Sequence, residues 1–99
     1  MNKVQVSGKI VELSALRFTP AGIPVVEFRL EHLSEQAEAG RQREVRAEIP
    51  AIAFEAQARL LAKARMHSEA KVEGFLGAKT KRSKRLVLHV TQIEFVEGA

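Results

Sequence analysis

An all-β barrel of five strands carrying one helix is the fold this 99-residue chain predicts, and three observations predict it. Apolar and polar residues alternate in five separate runs, the period of strands with one wet face. A single alanine-rich stretch with helical spacing falls between the third and fourth runs. Glycines stand inside the first and fourth runs, where the strands of a small barrel must bend sharply. Composition agrees, since 45% hydrophobic and 28% charged residues suffice for a core and lie far from the composition of disordered chains. The length predicts one domain over residues 1–99.

The first strand is expected over residues 3–13, where Val4, Val6, Ile10, Val11 and Leu13 alternate imperfectly around Gly8. A turn rich in proline and glycine follows at residues 19–24, because proline has no N–H to give a ladder. The second strand, residues 25–33, sets Val26, Phe28 and Leu30 on one face and Glu27, Arg29 and Glu31 on the other. Residues 34–40 are polar and close on Gly40, which predicts a connection. The third strand, residues 42–49, points Val45, Ala47 and Ile49 inward, and Pro50 is expected to end it.

The helix is expected over residues 51–66. Phe54, Ala58 and Leu61 fall at helical spacing, Glu55 lies near its start, and Lys63 and Arg65 lie near its end, as the helix dipole prefers. A fourth strand over residues 71–77 and a fifth over residues 86–96 complete the set. Three strands, a helix and two strands form the order of the OB-fold, a barrel whose exposed face and loops hold oligonucleotides. The predicted architecture is therefore a five-stranded OB-fold barrel with its helix between strands three and four.

Charge is the first feature that points outward. Sixteen Lys and Arg stand against twelve acids, all of them Glu, for a net charge of +4. The seven residues 79–85, KTKRSKR, hold five of those cations and no acid, so the remainder of the chain is slightly negative. This run joins strands four and five, one of the loops with which the fold habitually contacts its ligand. Its cations, Lys79, Lys81, Arg82, Lys84 and Arg85, suit a finger that tracks a phosphate backbone. The alternative is a solvated hairpin kept charged against edge pairing, but five cations in seven residues exceed what that protection needs.

A second basic set, Arg41, Arg43 and Arg46, heads strand three. Arg46 faces outward and reads equally as a contact to base or phosphate and as an ion-pair partner of Glu44 or Glu48. Among the five phenylalanines, Phe28, Phe54 and Phe75 read as core. Phe18, beside Arg17 in the turn-rich segment, is the one placed for exposure as a stacking surface, against an alternative as a packed turn anchor. The absence of cysteine excludes disulfides and thiolate metal sites. His32, His67 and His89 lack metal-ligand spacing, and no nucleophile or phosphate-loop motif occurs. The expectation is a non-enzymatic protein of the cytoplasm without metal or cofactor.

The run Thr19-Pro20-Ala21-Gly22-Ile23-Pro24, then Phe28, Leu30-Glu31-His32, Ser34, Glu38-Ala39-Gly40, Pro50, Val72-Glu73-Gly74-Phe75, Val87-Leu88-His89 and Gln92-Ile93-Glu94, resembles the family of primosomal replication protein N, PriB. The resemblance covers almost the whole chain in order. It implies a homodimeric bacterial OB-fold protein that binds single-stranded DNA during restart of stalled replication forks. Its implied partner is the PriA helicase, with DnaT following in some bacteria. The family's basic hairpin corresponds to Lys79, Lys81 and Arg85, extended by Arg82 and Lys84, and its basic turn residue to Arg17. Arg41 and Arg46 stand where the best-known members have aromatic residues, and the basic hairpin is shorter.

Two rival readings differ in the class of partner. A single-strand-binding protein that coats DNA carries a long acidic tail beyond the barrel, whereas here the sequence closes on Val96-Glu97-Gly98-Ala99, so that reading is disfavoured. A protein-interaction adaptor would use the cationic hairpin to grip an acidic protein, with DNA binding incidental.

Overall fold

The computed structural model describes residues 1–96; residues 97–99, on which the expectation of a missing tail rests, lie outside the described residues. The chain forms β1 (Val4–Leu13), β2 (Arg17–Phe18), β3 (Pro24–Glu38), β4 (Arg41–Phe54), α1 (Glu55–Ala62), β5 (Glu69–Ala78) and β6 (Leu86–Phe95). Strands are hydrogen-bonded in the order β1-β5-β6-β4-β3, and β1 pairs again with β3, which closes a five-stranded barrel. The short β2 adds to β3 beyond the end of β1. Counting β2, the helix lies between β4 and β5; among the five long strands it lies between the third and the fourth, as the OB-fold order requires.

The closure depends on two glycines in the first and fourth long strands. A Cβ at Gly8 would stand 2.5 Å from the carbonyl oxygen of Glu31, and one at Gly74 would overlap the carbonyl oxygen of His89. Only a residue without a side chain lets these strands approach so closely. The ladder shifts register between Ile10 and Glu12, which accounts for the broken alternation at Val11. Inside the barrel, Ile10, Val26, Phe28, Leu30, Ala51, Ala53, Val72, Leu88, Val90 and Ile93 pack into one buried cluster. The helix adds Ala58 and Leu61 to it, and the Gln57 side-chain carbonyl accepts the Ile93 N–H at 3.0 Å.

Several boundaries differ from expectation for physical reasons. Residues 34–40 are not a loose connection: β3 and β4 form one long hairpin, paired from Val25 opposite Phe54 out to Glu38 opposite Arg41. Pro50 does not end the ladder. It stays paired with Arg29, and because β6 joins β4 only at Ala51, no bond is lost on that side. Residues 51–54 are strand and not helix, since Ala51, Ile52 and Ala53 are clamped between β3 and β6. Glu55, in the left-handed region at φ 58°, then turns the chain into α1. The helix stops at Ala62 because the backbone of residues 67 and 68 is claimed by Ile10, whose carbonyl accepts the His67 N–H at 2.8 Å and whose N–H donates to Ser68 at 2.9 Å. Ala47, expected inward, is exposed on the part of the β3–β4 hairpin that projects past the barrel.

Candidate nucleic-acid interface

Side chains alternate between the two faces of a strand, so the register fixes what the barrel shows to solvent. Arg17 stands opposite Val25, Val25 opposite Phe54, Glu27 opposite Ile52, Ile52 beside His89, and His89 opposite Phe75. All lie on the face away from the core residues Val26, Phe28, Ala53 and Leu88. A continuous band therefore crosses the outside of the barrel from β2 to β5. Val25, Ile52 and Val87 are buried together within it although they face away from the main core.

The basic hairpin joining β5 to β6 supplies part of that cover. β5 and β3 are separated by β6 and β4 in the sheet, yet the Lys79 ammonium lies 2.6 Å from Oε1 of Glu27 on β3. The base of the hairpin must lean over the outer face to make this contact. From the other side, an Arg17 guanidinium nitrogen reaches Oε2 of the same carboxylate at 2.8 Å. Hydrogen bonding from Lys79 is the main reason that the Glu27 carboxyl titrates below its ordinary range, opposed in part by burial and reinforced by Arg17. A groove of about 390 Å³ runs beneath the hairpin, lined among others by Glu12, Glu27, Arg29, Lys79, Ser83 and Arg85.

The turn of the hairpin is held by its uncharged members. The Ser83 N–H meets both the carbonyl and the hydroxyl of Thr80 at 3.2 Å, and the Arg85 N–H donates to the Ser83 hydroxyl at 3.1 Å. Among the described residues, no carboxylate lies within 4.0 Å of the charged groups of Lys81, Arg82, Lys84 or Arg85. All four are exposed. Four cations without counterions on one turn form a local positive potential suited to a polyanion.

The remaining candidate residues are placed differently. Phe18, 57% exposed, pairs with Pro24 and so faces opposite to Arg17. Arg41 sits at the tip of the projecting hairpin, about 40 Å along β3 from the Arg17 position at ~3.3 Å per residue. Arg46 is in the same arm, and its guanidinium is 2.8 Å from Glu44, the ion-pair alternative. Arg43 pairs with Glu38. The structure thus brings Arg17 and the hairpin cations to one side of the barrel and leaves Arg41 and Arg46 apart from them.

Two aromatic residues read as core are on the outer band instead: Phe54 is 39% exposed and Phe75 is 42% exposed. Parity held the signal. Phe75 is an odd number of positions from Val72, so in one strand the two cannot both face inward. Phe54 reads as core only on helical spacing, and it stands at the end of β4 instead. The band thus offers cations for phosphates and flat apolar surfaces for bases.

Residues 2–92 match the model of a family described as another single-strand binding protein family. The replication restart protein PriB of Nitrosomonas europaea is 39% identical over 96% of this chain and 88% of its own length. That of Bordetella pertussis is 39% identical over 100% of this chain and 92% of its own length. A solved structure of PriB from Ralstonia solanacearum superimposes with a TM-score of 0.87 at 29% identity, covering 98% of this chain and 99% of the other. On full-length similarity, shared fold and the match to the single-strand-binding model, the chain belongs to the PriB family of replication restart proteins.

Proposed function

We propose that this protein is a non-enzymatic, single-stranded-DNA-binding accessory of the bacterial replication-restart primosome, acting in the cytoplasm and stimulating the PriA helicase at stalled forks. The observation that carries the DNA-binding part is the turn at residues 79–85, whose Lys81, Arg82, Lys84 and Arg85 have no carboxylate partner among the described residues and stand beside an outer face with exposed phenylalanines. Cations in this position displace the condensed counterions of a nucleic-acid strand, and binding of that kind weakens steeply with salt. Arg17 and Lys79, neutralised by their shared bond to Glu27, are proposed as weaker contacts of the same strand that add little to its salt dependence. Phe18, Arg41 and Arg46 are proposed as peripheral contacts.

With four free cations, the slope of log K against log salt is expected to approach roughly −0.7 × 4, about −2.8 per subunit for single strands. Replacing Lys81, Arg82 and Arg85 by Ala is expected to flatten that slope toward −0.7 and to weaken binding alike for all sequences, since phosphate contacts carry no base information. The check is titration of a labelled oligodeoxynucleotide at several salt concentrations. A folded triple variant with the parent's affinity and slope would remove the hairpin from the site. In a forked-DNA unwinding assay, the protein is expected to raise the activity of the cognate PriA, with DnaT recruitment following where that protein exists. Salt-dependent DNA binding without any effect on PriA would leave a general single-strand binder. An effect on PriA with no DNA binding would favour the protein-interaction adaptor.

The proposed unit is one OB-fold domain that assembles as a homodimer. In support, β1 is bonded to β5 from Val4 onward, whereas its pairing with β3 begins only at Lys9. Residues 4–6 therefore present an edge that β3 does not pair with, a ready template for a second chain.

A further inference from the structure

The outer band contains an arrangement that phosphate attraction alone does not require. Phe75 on β5 and His89 on β6 stand directly opposite one another, with ring planes 2° apart and centroids 4.9 Å apart. This is an offset stack, the geometry that flat aromatic systems prefer. The His89 Nε2 lies 3.2 Å from the carbonyl oxygen of Ala78, which fixes the imidazole. Gly77, the next residue of β5 on this face, leaves room for that ring: a Cβ there would lie 3.4 Å from both Cδ2 and Nε2 of His89. Four residues beyond Phe75, on the same face, Lys79 opens the cationic hairpin.

A pre-ordered, solvent-facing aromatic pair next to phosphate-seeking cations has the two components of a single-strand site. We propose that the Phe75–His89 pair is a base-stacking platform for single-stranded DNA, the unpaired base lying against the exposed surface of Phe75. The proposal rests on the reading of the hairpin as the phosphate contact. It assigns the stacking role to β5 and β6, since Arg41 and Arg46 offer no aromatic ring on the projecting arm. Every base has a π-face, so this contact tolerates any sequence.

The chain contains no Trp and no Tyr, so Phe75→Trp supplies a single fluorophore at the platform. On titration with an oligothymidylate, its emission is expected to be quenched in step with binding measured independently by anisotropy of an end-labelled oligonucleotide. Phe75→Ala is expected to weaken binding by about 5- to 150-fold, the range for loss of one stacked base, while leaving the salt slope unchanged, because stacking releases no counterions. Phe75→Trp keeps the parent's affinity. Phe75→Trp emission that does not change at saturation, with binding intact, overturns the platform and leaves the hairpin reading standing. If the parent shows no salt-dependent binding to the oligonucleotide, both readings fall. Should Phe75→Ala not fold, the Phe75→Trp titration decides alone.

Discussion

Glu27 is the residue on which two distant parts of the sequence meet. One carboxylate oxygen accepts from Lys79 and the other from Arg17. The Lys79 hydrogen bond first, and Arg17 with it, hold its pKa below that of the unfolded chain, against a smaller opposing effect of burial. A carboxyl with a depressed folded-state pKa contributes stability that is complete above its unfolded value of about 4.3 and is lost as pH falls through the lower folded one. The contribution is thus full at neutral pH and disappears only in acid. Because the partners are partly exposed, its size is at most about 1 kcal/mol. Glu27→Gln is therefore expected to lower the Tm by no more than a few degrees, measured by thermal unfolding at pH 7, and the difference from the parent is expected to shrink as pH falls below the unfolded value. In DNA binding the same change acts oppositely. Freed from their carboxylate, Lys79 and Arg17 are expected to steepen the salt slope by about 0.7 each, up to ~1.4, and to tighten binding at low salt. Unchanged affinity and slope in a salt titration of Glu27→Gln would place both cations outside the contact set.

At the scale of elements, the projecting β3–β4 hairpin turns on only two residues, Ala39 and Gly40, with φ of 53° and 75°. Two-residue hairpin loops of this hand match the twist of the strands, and they require positive φ at both positions. Glycine adopts it freely, whereas alanine meets its own Cβ and loses roughly 1 kcal/mol. Ala39→Asn is expected to gain about 0.5–1 kcal/mol in urea unfolding with an unchanged m-value, and Gly40→Ala to lose about 1 kcal/mol. A destabilised Ala39→Asn would contradict the turn. This hairpin also marks the limit of what was legible beforehand. Glu38-Ala39-Gly40 reads as a connection because polar, short side chains carry no burial signal, and an exposed two-stranded arm needs none: its ladder is satisfied backbone to backbone. The barrel strands were legible where one face is buried, as in Val26, Phe28 and Leu30. The start of the helix was not, since Ala51 and Ala53 are small because the barrel is tight and not because the segment is helical. At the site, the hairpin cations were visible as a charge run. The Glu27 junction was not, because no local pattern records that residues 17, 27 and 79 converge when a loop leans across two strands.

The whole molecule is electrically divided, and the start of β1 leaves an edge of the barrel itself unpaired. Residues 31–48 of the projecting hairpin hold five Glu and three Arg, and on its outer face Glu31 stands opposite Glu48 and Glu35 opposite Glu44. Like charges across a ladder are destabilising. On the proposed reading, a single strand drawn to the cationic turn meets this net negative arm only at its periphery, where Arg41 and Arg46 partly offset the carboxylates. The number of sites then depends on assembly, and the exposed edge of β1 bears on it. The Ser7 carbonyl accepts from Nδ1 of His32 at 2.7 Å, away from β5, so the polar backbone groups of Ser7 and, two residues earlier, of Gln5 point outward. Even-numbered neighbours serve β5. Gln5→Pro therefore removes an outward N–H and leaves the internal ladder whole, the one kind of position where a strand tolerates proline. Sedimentation equilibrium at micromolar concentration is expected to give twice 11.0 kDa for the parent and for Gln5→Ala, and a shift toward 11.0 kDa for Gln5→Pro. A parent that sediments only at 11.0 kDa would remove the dimer. A Gln5→Pro variant that stays folded and dimeric would move the contact away from this edge, and the cationic turns of the two subunits would then be related through another surface.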